Sequence, residues 1–153
     1  TESPADAAQH ALSPRPARDV RPEIRRAAAL AAESRFFDSI DTLRYTVNQE
    51  PEAFTARLGS LFANDRDAEQ KVKYAISIYQ DRPRMRVSEV DAAFMVAALQ
   101  AVLGEHDAAW ESIRLGRELG EKRPSGQALY RVLSRPAATD PGLPQPASTG
   151  GSP

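Results

Sequence analysis

Two histidines occur in the chain, and only His106 stands beside a carboxylate, Asp107, with Trp110 one helical turn on. An imidazole next to a carboxylate is the minimal pair for acid–base chemistry. It needs a nucleophile or a metal partner to become a reaction centre, and no His-x-x-x-His or His-Glu-x-x-His spacing is present. The plainer reading is a partly exposed turn residue resting on Trp110. His10 falls in a segment with no apolar period. The closest carboxylate clusters are Asp38 with Asp41, and Asp65 with Asp67 and Glu69. The second lacks the glycine and terminal glutamate of a calcium loop, and helix capping explains both sets. Arg82, Arg84 and Arg86 alternate in DRPRMRV and could hold a phosphate or carboxylate, although only Tyr79 lies nearby as a stacking aromatic. A solvated loop is the simpler account.

Composition narrows the classes further. The chain has 153 residues, a formal net charge of −1 and no cysteine. Thiolate catalysis, disulfides and Cys-ligated zinc are excluded together. Glycines 59, 104, 116, 120 and 126 are isolated and read as helix-associated, so no phosphate loop forms. Charge balance argues against nucleic acid as a partner. No apolar run approaches the roughly 20 residues of a membrane span. No catalytic residue, metal ligand or cofactor is assigned. The first residue is Thr1 rather than Met, as in a processed or excised chain. The compartment stays open: cytoplasmic, or periplasmic if a signal peptide preceded Thr1.

The elements that must position these residues are helical. The segment 1–20 and the Pro/Ala/Gly/Ser-rich stretch 136–153 cannot bury enough apolar area to fold and read as a disordered arm and tail. Between them, 21–135 shows helical period throughout and no hairpin signal. Pro22 starts a helix that reaches Asn48 as one bent rod or two. Pro51 opens another, with Phe54, Leu58, Leu61 and Phe62 on its inner face, before Asp65 caps a third. Ser88 and Asp91 begin a helix that is apolar nearly all round from Val90 to Leu103, the mark of a central element. Gly104, Gly120 and Pro136 punctuate the helices after it. Phe36, Phe37, Phe54, Phe62, Phe94 and Trp110 fall on apolar faces and read as core. Tyr45, Tyr74 and Tyr130 lie at face edges and read as partner-surface residues. The expected fold is all-α, with six or seven antiparallel helices in stacked hairpins, as a short solenoid or a compact bundle.

Small residues recur at matched intervals: Ala56, Ala68 and Ala75, then Ala97, Ala109 and Gly116, spaced 12 then 7 in both sets and offset by 41. Such positions let paired helices approach closely. With the turn Leu103-Gly104-Glu105-His106-Asp107 and Ile113, the stretch 92–119 resembles a tetratricopeptide (TPR) hairpin. The resemblance implies a scaffold whose concave face binds a peptide or helix of another protein. It would place Arg57, Ser60, Asp91, Phe94 and Ala101 on that face. Proteins of this architecture include bacterial assembly lipoproteins, chaperones and adaptors. Two other readings remain: a small helical enzyme using His106 and Asp107, and a nucleic-acid binder using Arg82, Arg84 and Arg86.

Overall fold

The computed structural model describes residues 18–55, 59–81 and 86–135. Among them are six α-helices and no strand: α1 (Arg21–Ala32), α2 (Phe36–Gln49), α3 (Arg66–Gln80), α4 (Glu89–Val102), α5 (His106–Glu118) and α6 (Pro124–Ser134). None is long and apolar enough to cross a membrane.

Local chemistry explains most boundaries. Asp65 caps α3 by accepting the Ala68 N–H at 3.0 Å, and Ser88 caps α4 by accepting the Asp91 N–H at 3.1 Å. Helix α4 ends in a Schellman motif: Gly104 N–H donates to Ala101 and Glu105 N–H to Gln100, with Gly104 at φ +77°. Gly120, at φ +104°, ends α5 in the same way. Of the two readings of 22–48, one bent rod or two helices, the structure has two helices. Ser34 takes φ +62° and closes the end of α1 through bonds from Ser34 and Arg35 to Ala31 and Leu30.

One expected element is different. Pro51 starts only a 3-10 turn, Pro51–Phe54. Gly59 adopts φ +83°, which no helix contains, and the backbone at Leu61 donates instead to the carbonyl of Val102 at 2.8 Å. This segment lies against the α4–α5 turn so closely that a Cβ on Gly104 would meet the Gly59 carbonyl carbon at 2.5 Å. Gly104 therefore serves two purposes, a left-handed cap and a backbone crossing point.

Helix α4 is the axis. Every residue from Ala92 to Val102 is buried, and the helix packs on α3, α5, α2 and the 3-10 turn. Helix α6 folds back onto α2, so the stack of hairpins closes into a bundle. Ala68, Ala75, Ala97, Ala109 and Gly116 are all buried. The position where Gly116 would carry a Cβ lies 3.4 Å from the Ala93 methyl, so α4 and α5 touch nearly backbone to backbone. Ala56 lies outside the described residues. Phe37, expected in the core, is 73% exposed. Its neighbour Phe36 turns inward instead, edge-on to Tyr79 at 6.0 Å.

Candidate functional site

Charge enters the core at one place. Arg44 occupies the inward stripe of α2, between Leu43 and Val47, and is 6% exposed. A guanidinium so placed needs its charge and its N–H groups matched. Its Nη2 bonds to Asp91 Oδ1 at 2.8 Å and to Glu121 Oε1 at 2.7 Å, and its Nη1 donates to Ser125 Oγ at 2.9 Å. The guanidinium also stacks 4.1 Å above the Phe94 ring. This one side chain ties α2 to α4, to the α5–α6 connection and to α6. Among the described residues, no buried side-chain nitrogen or oxygen is without a partner.

Glu121 sits where two demands meet. Its Oε1 takes Arg44, and its Oε2 accepts the backbone N–H of Arg123 at 3.0 Å. Arg123 precedes α6 and offers no side-chain cap, so the Glu121 carboxylate supplies the negative charge that the start of α6 favours. It lies against Gly126, where any Cβ would overlap its Cγ and Cδ.

Beyond Glu121 the surface opens into a groove of ≈ 600 Å³ between α5 and α6. Ile113 and Arg117 form one wall, and Gln127, Tyr130 and Arg131 the other. Gly120, Glu121, Lys122 and Gly126 line the end nearest the connection. Helical geometry sets this arrangement. Ala109, Ile113 and Gly116 turn α5 inward, which leaves Arg117 at the groove edge. Its guanidinium stacks 4.2 Å over Tyr130, and Tyr130 packs against Trp110 with centroids 5.0 Å apart. Both rings are half-buried. Tyr and Trp with arginine are the side chains that anchor interfaces most often.

The comparisons with known proteins return no match to a family model, a curated protein or a solved structure.

The residues singled out from sequence are spread widely. Phe94 is fully buried beneath Arg44, and Ala101 is 1% exposed, so neither offers surface to a partner in this conformation. Asp91 is half-buried and faces Arg44, Arg123 and Ser88. Ser60 is spent locally: its hydroxyl donates to Glu69 at 3.0 Å and accepts the Phe62 N–H. Arg57, Arg82 and Arg84 lie outside the described residues, and Arg86 is exposed. Asp107 is fully exposed, 3.6 Å from His106 Nδ1, while His106 Nε2 contacts the Leu133 carbonyl at 3.1 Å. That contact pins the start of α5 to the end of α6. Among the described residues, no three potential metal ligands cluster.

Elsewhere, burial pushes the Tyr79 phenol up to about 12, against the opposing effect of its bond to Ser39 at 2.7 Å. Ser39 in turn donates to the Ala27 carbonyl, so this chain of hydroxyls joins α3 to α2 and α1 as a structural tie.

Proposed function

We propose that this protein is a non-enzymatic interaction module that binds a peptide segment of a partner protein in the α5–α6 groove. The observation that carries the reading is the Arg117–Tyr130 stack in the wall of an open groove, with Trp110 packed against Tyr130. It presents a rigid amphipathic surface whose rings are already held in place, so little side-chain entropy is lost on docking. The TPR resemblance points to the same class of function through a different face, but Phe94 and Ala101 are buried, so the reading rests on α5 and α6 instead.

A photo-crosslinking side chain at Gln127, exposed on the groove wall, tests this in cells that make the protein. Ala29, exposed on α1, is the control position. A discrete protein adduct at Gln127, missing at Ala29 and lost with Tyr130→Ala, is the expected result. Equal adducts at both positions, or none at Gln127, would overturn the reading.

A further inference from the structure

Most described cations have a carboxylate partner. Arg18 pairs with Glu23, Arg21 with Asp19, Arg25 with Asp65, Arg35 with Asp38, and Arg44 with Asp91 and Glu121. Lys71 pairs with Asp67, Lys73 with Glu69, Arg114 with Glu111, Arg123 with Asp91, and Arg135 with Glu52. Among the described residues, Arg26, Arg66, Arg86, Arg117, Lys122 and Arg131 make no ion pair with a carboxylate, and of these Arg117, Lys122 and Arg131 are exposed and line one groove. The one lining carboxylate, Glu121, is turned inward to Arg44 and the Arg123 N–H. The groove therefore shows a ligand three uncommitted positive charges beside an aromatic wall.

Resting on the reading of this groove as a partner site, we propose that its partner is an acidic protein segment. Its carboxylates face Arg117, Lys122 and Arg131, and an apolar or aromatic side chain lies along Tyr130. Arg117 suits a carboxylate particularly well. Stacking on Tyr130 holds its guanidinium plane, and a planar fork matches the two oxygens of a carboxylate. Nucleic acid fits less well. The chain carries a net charge of −1, and Glu118 stands beside Arg117 and Tyr130 on the adjoining surface. A phosphate backbone running on past Arg117 would pass that carboxylate, whereas a short acidic segment can end before it.

The test uses the full chain and three labelled peptides of about a dozen residues, each with a central Tyr flanked by Glu, Gln or Lys, read by fluorescence anisotropy. The Glu peptide binds, and binding weakens as salt rises. The double variant Arg117→Glu/Arg131→Glu weakens it by about tenfold or more. The control Lys71→Glu/Lys73→Glu, with both positions on α3, leaves it unchanged. Circular dichroism of each variant verifies folding. Equal binding of the Gln peptide, insensitivity to the groove variant, or displacement of the Glu peptide by an oligothymidylate acting on the same two arginines would each overturn the acidic-segment proposal. So would failure of the Glu peptide to bind. The Gln127 adduct separates the two readings: if it persists in that case, the groove still binds a partner of other chemistry, and if it is absent, the groove reading falls as well.

Discussion

Replacing Arg44 with methionine keeps an unbranched stem over Phe94 and removes the charge that two carboxylates depend on. Glu121, whose side chain is 3% exposed, is left with the Arg123 N–H as its remaining hydrogen bond. Asp91, at 17%, keeps Ser88 and a 3.4 Å contact with Arg123, so it adds less. Removing one partner of a buried pair costs about 3–5 kcal/mol, mostly through the charge left behind, and the near-complete burial of Glu121 puts Arg44→Met within that range. For an ordered region of this size, the loss lowers Tm by roughly 10–25 °C. Urea unfolding followed by far-ultraviolet circular dichroism measures it. The diagnostic is the double variant Arg44→Met/Glu121→Gln. An amide can stay against the Arg123 N–H region without needing a counter-charge, so about 1–2 kcal/mol returns relative to Arg44→Met alone. An Arg44→Met protein as stable as the parent, or strict additivity of the two changes, would refute the claim that this ion network ties the bundle together.

Three further outcomes rest on local geometry. Gly104→Ala and Gly120→Ala both place a side chain at positive φ, worth about 1–2 kcal/mol. Only Gly104→Ala also collides with the Gly59 backbone, adding about 1–3 kcal/mol of overpacking; equal urea midpoints for the two would contradict the close crossing. Asp65→Ala and Ser88→Ala each lose a capping bond and about 1 kcal/mol, measured in the same way. Tyr79 ionises with a folded value of about 12 against an ordinary 10, so the folded state holds its proton longer than the unfolded chain. Its contribution to stability is complete below pH 10 and is lost as pH rises from 10 through 12. The tyrosinate absorbance titration therefore has a late phase near pH 12 that Tyr79→Phe abolishes; a titration unaltered by that change would contradict the burial of this phenol.

Signals confined to a few neighbouring residues are readable in the sequence. Ser88, Asp65, Gly104 and Gly120 each act on backbone within one turn, and each does in the structure what its type and position indicate. The central place of α4 is equally legible, because apolar residues on every side leave a helix only one kind of environment. The Pro51 segment misleads because an apolar spacing can be met by a helix or by an irregular strap. Gly59 at φ +83° and the bond from Leu61 to Val102 decide for the strap. Phe36 and Phe37 are adjacent, so a helix can bury only one of them well, and the contact with Tyr79 selects Phe36. Arg44 is the member of the candidate site that sequence reasoning misses. Its partners lie 47 and 77 residues away and come together only through the tertiary fold. The available signal is a charge inside the stripe Ile40, Leu43, Val47, which at that position must find a counter-charge or leave the core.

Core network and groove meet at Glu121, and this sharing has a physical consequence for recognition. A carboxylate lining a cationic groove would ordinarily compete with an acidic ligand for the same arginines, or repel it. Here the buried Arg44 holds that carboxylate from behind, Gly126 leaves the space it occupies, and the start of α6 supplies a further donor. With Glu121 neutralised inward, Arg117, Lys122 and Arg131 keep their charge for whatever enters. The side chain that ties α2 to α4 and α6 thus also offsets the one negative charge in the groove lining. If the groove takes an acidic segment as proposed, Arg44 acts on binding without lying on the surface, and an Arg44→Met protein that still folds leaves the Glu121 carboxylate without its counter-charge at the groove's end and binds the Glu peptide more weakly.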